Sequence, residues 1–248
     1  KTNVELESTE QEASRVCSVL SKICKWSELQ CYGSPLGSSF LIPHKTPIDQ
    51  KYINPTWHPF TISSFIQDQE DAGRVVGCII DLTNHERIYN VDDLEVPMDP
   101  LKHRKDCGKA GCKCPKMPLQ HIHIRCISKE YPEAETIERF SNEVKRFRRS
   151  NPNHYIGVHC SYGFNRTGFV VCSYLVESSQ MRIEEAVNAF KASRQPGIKH
   201  QNFVEELTRR YKVCSGLKKD LYHSFELYNT CNTNYTQTQD NVSQICIN

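Results

Sequence analysis

No stretch of these 248 residues stays apolar for the length of a membrane span. The first residues, acidic and polar, do not read as a secretory leader, and the chain starts at Lys1 without Met, as a fragment does. Charge of one sign is lacking as well. Thirty-one Lys and Arg against 29 Asp and Glu leave a formal net charge of +2, so bulk electrostatics selects no partner and any basic surface has to be local. No segment repeats. Cysteine is plentiful at 13, but paired framework spacings are absent and the count is odd. In a chain this long, that favours reduced thiols in an intracellular protein over a disulfide scaffold. Three Asn-x-Ser/Thr matches, at Asn165, Asn234 and Asn241, read as chance.

The length suits one domain with tails. Residues 1–25 read as a polar tail with a short helix over 14–29. Residues 26–59 are rich in Pro, Gly and Ser, an irregular wrap with one short strand at 39–42. Residues 74–81 form an apolar run of the kind buried on both sheet faces, and residues 119–126 form a second strand. Ile137, Phe140, Val144 and Phe147 recur at helical spacing and predict a helix over 133–149. A third strand at 155–159 runs straight into a helix over 166–177, and helices over 182–194 and 202–211 follow. Beyond Leu227 the chain turns Asn-, Thr- and Gln-rich, and 223–248 reads as a disordered tail. Strands alternating with helices predict an α/β core with a mainly parallel sheet, spanning 26–222 and interrupted by an insertion at about 98–118.

The stretch VHCSYGFNRTGF, residues 158–169, joins a buried strand to a helix. That is where open α/β sheets bind ligands. Amides of the loop Cys160, Ser161, Tyr162, Gly163, Phe164, Asn165 and Arg166 can converge on a phosphate, and the helix's positive end adds to the field. The same field lowers the pKa of Cys160 and keeps it a nucleophilic thiolate. Arg166 offers a planar fork to two phosphate oxygens, and the Thr167 hydroxyl can help the sulfur leave. A buried structural Cys beneath a surface Arg is the competing reading, and it leaves His159, Gly163 and Gly168 unexplained.

The run from His159 to Gly168 resembles the signature loop of the cysteine phosphatases. More narrowly, IGVHCSYGFNRTGF is similar to the RNA 5′-triphosphatase domain of animal and plant mRNA capping enzymes. So are IIDLTNHERIY (79–89), FLIPHKTPI (40–48) and RQPGIKHQNFVEELTRRY (194–211). The resemblance covers about residues 26–211 and implies a cysteine-phosphatase fold. It implies metal-independent removal of the γ-phosphate from triphosphorylated RNA, with no cofactor, in the nucleus. A guanylyltransferase domain or subunit and the transcription machinery are the partners it implies, with no membrane. The RNA-directed phosphatases of 5′ ends are nearly as similar. The chain departs from the pattern at Ser161-Tyr162, in the insertion, and in having no Lys-x-Asp-Gly nucleotidyltransferase motif.

Other residues carry two readings. Asp81 ends a strand on the expected active face; it serves either as a proton or water contact during phosphocysteine hydrolysis or, the favoured reading, as an acceptor supporting the loop. His159 belongs to the expected catalytic set. The resemblance places phosphate contacts at Arg194 and Lys199, and weaker RNA contacts at Lys45 and Arg87; for each, a solvated charge is the alternative. Helix-dipole complementarity already accounts for Lys145, Arg146, Arg148 and Arg149. Cys107, Cys112 and Cys114 of the insertion, with His103, His121 or Cys126, have the donors for a structural zinc, against a basic loop with reduced thiols as the alternative. The insertion precedes a strand, so it belongs at the sheet end away from Cys160.

The stretch ISKEYPEAE (127–135) supplies Glu130 and Glu133 but no Asp where phosphoprotein phosphatases keep a general acid. A phosphate leaving group, with a pKa of about 6, needs far less protonation than a Tyr phenol at about 10. A dual-specificity protein phosphatase and a catalytically inactive module that binds RNA 5′ ends remain the alternative functions.

Overall fold

The computed structural model describes residues 22–52, 60–102 and 114–212. The chain divides into two compact units, Lys1–Thr208 and Arg209–Asn248, and the elements below lie in the first unit apart from the final turn of the last helix.

The sheet has four strands, all parallel, in the order β1-β6-β2-β5. They are β1 (Leu41–Lys45), β2 (Val76–Asp81), β5 (Gln120–His123) and β6 (Tyr155–Cys160). β3 (Glu95–Pro97) and β4 (Lys116–Pro118) form a separate antiparallel pair. The helices are α1 (Ile23–Ser27), α2 (Ile62–Asp71), α3 (Ala134–Ser150), α4 (Asn165–Ser179), α5 (Ile183–Ser193) and α6 (Gln201–Lys212). The sheet is therefore the expected parallel one, flanked by helices.

β2 and β6 are buried along almost their whole length, which is why they read as apolar runs. β1 begins two residues later than expected and runs to Lys45. A 3-10 turn over Gly37–Ser39 and a left-handed Phe40 (φ 61°) occupy its expected start. Pro43 is tolerated because β1 lies at the edge of the sheet, where its carbonyl accepts from Gly33 N at 2.7 Å. α2 was not predicted. Thr61 caps it by accepting from Ser64 N at 3.1 Å, and Ile62, Phe65, Ile66 and Gln69 bury one face.

Parallel register brings the C-terminal ends of the strands together. Lys45 lies beside Cys160, and Asp81 lies beside both His159 and His123. The opposite end carries the arms of the expected insertion, with β4 immediately before the start of β5. Residues 103–113, including Cys107 and Cys112, fall outside the described residues.

Gly157 lies mid-strand in β6 because no side chain fits there. A Cβ would meet Ile79 Cδ1 at 2.7 Å, His44 Nε2 at 2.8 Å and Phe65 Cε1 at 3.0 Å. Gly157→Ala should overpack this face and lower unfolding stability by about 1–3 kcal/mol. Urea titration checks it: the midpoint should fall with the slope unchanged.

Candidate active site

The loop after β6 is fixed by main-chain bonds. Thr46 N donates to Ser161 O at 3.2 Å and Gly168 N to Phe164 O at 2.8 Å. Gly163 has φ 71°, and a Cβ there would lie 2.1 Å from His44 O, so only glycine lets the loop pass under β1. Asn165 Oδ1 accepts from Lys199 N at 2.8 Å and His200 N at 3.0 Å, tying the loop to the start of α6. Phe164, buried, stands immediately before α4 without a side-chain cap.

Cys160 is buried, and burial alone would push its thiol up. The Arg166 guanidinium, the Thr167 hydroxyl and the amides of Thr167 and Tyr162 outweigh that and draw it below its ordinary value. The Thr167 hydroxyl is buried with no other hydrogen-bond partner among the described residues, so the sulfur is what it serves. Arg166 is also nearly enclosed. Its Nη1 donates to Leu82 O at 3.1 Å and Cys126 O at 2.8 Å, and its Nη2 to Ser161 Oγ at 2.9 Å. The guanidinium is held in the loop by the backbone of two neighbouring segments. Cys126 sits beside this group, but burial pushes its thiol up to about 12, so of the two sulfurs only Cys160 is drawn below its ordinary value.

His159 has a different place from the one the catalytic set implies. It is fully buried and bonds inward, with Nε2 2.6 Å from Tyr89 Oη and Nδ1 3.3 Å from Thr46 Oγ1. Asp81 is buried too. Its Oδ1 accepts from Thr83 N at 2.8 Å, which shapes the turn that presents Leu82 O to Arg166. Burial would raise its carboxyl, but His159, His121 and Thr83 hold it well below the usual carboxylate range.

The four outlying basic candidates separate. Arg194 is wholly buried; Nη2 donates to Tyr162 O at 3.1 Å, while Nε and Nη1 have no partner among the described residues. Burial lowers it to about 10, so it remains a cation at neutral pH, coupled to the charge on Cys160. Its guanidinium lies 4.6 Å from the Phe164 ring centroid, and the exposed Lys199 ammonium lies 4.3 Å from the same centroid. Arg87 pairs with Asp92 at 2.9 Å on the surface. Lys45 is corrected: an RNA contact needs an exposed ammonium, and this one is buried. Its Nζ donates to Trp26 O at 2.9 Å and Leu29 O at 2.8 Å and lies 3.9 Å from the Trp26 ring centroid. Its job is to bind the N-terminal segment to β1.

Thr46, Tyr89 and His121 were not singled out from sequence as members of the site. Thr46 and Tyr89 nevertheless lie within FLIPHKTPI and IIDLTNHERIY, so the signal was the segment and not the residue.

Burial drives His159 down to about 4 from an ordinary 6.5, and drives His44 well below that ordinary value. Both imidazoles are neutral in the fold, whereas the unfolded chain gains protons as the pH falls below 6.5. Their contribution is complete above that value and is lost as the pH drops toward 4, on the order of a few kcal/mol. Thermal melts at successive pH values should show the midpoint falling through this window. A flat profile would contradict the neutral-histidine assignment.

Residues 93–213 match the family described as dual specificity phosphatase, catalytic domain. An mRNA-capping enzyme of Danio rerio is 35% identical over 192 residues, covering 75% of this chain and 28% of that protein. An RNA/RNP complex-1-interacting phosphatase of Rattus norvegicus is 31% identical over 193 residues, covering 75% and 52%. A homolog of the latter in Caenorhabditis elegans is 25% identical over 190 residues, covering 74% and 73%. The chain thus spans between about a quarter and a half of the first two relatives. The cysteine after a central parallel strand and the arginine six residues on both fall within residues 93–213, the part of the chain that is similar to the dual specificity phosphatase catalytic domain.

Proposed function

We propose that the chain hydrolyses the γ-phosphate of triphosphorylated RNA through a phosphocysteine at Cys160. Arg194 carries the reading. A phosphate monoester held by the loop amides and Arg166 has no need of a second buried guanidinium. Arg194 keeps two nitrogens without partners among the described residues and feels the charge on Cys160, which suits a polyphosphate end. The mRNA-capping relatives and the RNA-interacting phosphatases support RNA as the polymer. The exposed Lys199, whose ammonium lies over the Phe164 ring, supports a contact to the next phosphate.

In this mechanism the Cys160 sulfur attacks the γ-phosphorus while Arg166 and the loop amides stabilise the equatorial oxygens. The β-phosphate leaves with little protonation, in keeping with the Glu-only 127–135 segment. Water then cleaves the S–P bond, with the Thr167 hydroxyl stabilising the departing sulfur. His159 and Asp81 act as positioning residues. The whole cycle needs no metal, and the setting that fits it is the nucleus, beside a guanylyltransferase and the transcription machinery.

The family description itself favours a second reading, a phosphoprotein substrate. Release of γ-phosphate from triphosphorylated RNA and of phosphate from a phosphotyrosine peptide, both in EDTA, separates the two. RNA turnover should survive chelation and exceed peptide turnover. Cys160→Ser should abolish turnover while RNA binding persists, because a serine hydroxyl keeps its proton in the same amide cradle. Arg166→Lys should fail as well, since an ammonium cannot make the two-pronged contact. Glu130→Gln and Glu133→Gln should each cost less than about tenfold, against roughly a hundredfold or more for a true general acid. Dependence on added metal, or a hundredfold loss in a Glu variant, would end the triphosphatase reading.

A further inference from the structure

The segment that follows β5 meets α4 twice. Cys126 O accepts from Arg166 Nη1 at 2.8 Å. Five residues further on, the Tyr131 ring lies on Phe169, which stands three residues past Arg166. Between the two contacts the chain doubles back through a left-handed Lys129 (φ 68°), a conformation uncommon outside glycine.

Tyr131 rests on an aromatic pedestal. Phe169 lies nearly parallel to it, with centroids 6.2 Å apart and 19° between planes, and Phe203 meets it edge-on at 5.1 Å and 72°. Both phenylalanines are wholly buried, so of the three rings only Tyr131 reaches water, at 37% exposure. Asn202 Nδ2 donates to Tyr131 Oη at 3.0 Å and pins the far end of the ring to α6. Ile127, on the other side of the turn, is exposed as well. An aliphatic side chain would suffice to close the pedestal. A ring held by its hydroxyl and left partly in water is a pre-ordered stacking surface, which loses little rotamer freedom when a second ring settles on it.

The position of the ring selects its partner. Asn165 of the phosphate loop accepts from Lys199 N and His200 N, so the start of α6, which holds Tyr131 through Asn202, is tied to the loop that grips the reacting phosphate. In triphosphorylated RNA the β- and α-phosphates stand between the reacting phosphorus and the first nucleoside. The first base therefore lies out at the rim, while the reacting end is enclosed by buried groups.

We propose that Tyr131 is the stacking platform for the first nucleobase of the RNA, a specificity-determining residue that contacts substrate and takes no part in the chemistry. Every base has a π-face, so such a platform grips RNA without reading its sequence. The inference rests on triphosphorylated RNA as the substrate, as in the proposed function.

The test uses Cys160→Ser protein, which should hold RNA without turning it over, titrated with triphosphorylated RNA that carries 2-aminopurine as its first base. Binding should quench the fluorescence, as stacking on an aromatic ring does. The same RNA with an abasic first nucleotide should bind about fivefold or more weakly, the effect of one base–aromatic stack. In the same protein, Tyr131→Leu keeps an apolar side chain on Phe169 and removes the ring. It should lose the quench, weaken binding of intact RNA by a similar factor and bring the intact and abasic affinities together. Tyr131→Phe keeps the platform and should keep most of the quench. A quench that survives Tyr131→Leu would overturn the proposal. So would an absent quench, or equal affinity for intact and abasic RNA, with Tyr131 in place; this arm decides the matter even if Tyr131→Leu fails to fold. If the native protein releases no γ-phosphate from RNA, the substrate reading fails and takes the inference with it. If it does so while the first base makes no difference, the inference alone falls.

Discussion

Drawing a buried thiol below its ordinary pKa is the constraint around which this fold is arranged. Burial favours the neutral thiol at Cys160, and only donors held in advance reverse that preference. The donors come from the loop amides, the Thr167 hydroxyl and the Arg166 guanidinium. None of them holds its place alone: the loop needs β1 above it, α6 tied to Asn165, and the turn after β2.

A parallel sheet meets this requirement because it gathers strand ends. Lys45, Asp81, His123 and Cys160 finish at the same edge of the sheet, and each continues into a segment that touches the loop or its supports. Lys45 shows how far support outweighs direct contact here. Its charge serves two main-chain carbonyls and the face of Trp26, and so fastens the N-terminal segment against the strand that roofs the loop.

The loop itself was legible in the sequence, because a Cys, a Gly and an Arg at fixed offsets between a buried run and a helix have few other uses. The parallel core was legible too, since β2 and β6 bury both faces and stay largely apolar until Asp81 and His159 near their C-terminal ends. α2 is legible as well: Thr61, then Ile62, Phe65, Ile66 and Gln69, spell a capped amphipathic helix. The hydrogen-bond chain behind the loop was not legible. It joins Thr46, Tyr89, His121 and His159 from four separate segments, and spacing along the chain carries no trace of such a meeting. Nor could sequence distinguish Lys45 from Lys199, because a lysine beside a phosphate site looks the same whether its stem turns inward or outward.

Arg166 is anchored to the carbonyl oxygens of Leu82 and Cys126, groups that every residue type possesses. The anchor is therefore indifferent to which side chains stand at those two positions. Mutational drift there can alter packing, or remove the second thiol, without touching the arginine's bonds. What cannot drift is the course of the main chain through those positions. Insertions and deletions near Leu82 and Cys126, rather than substitutions, are the changes that would disarm the site.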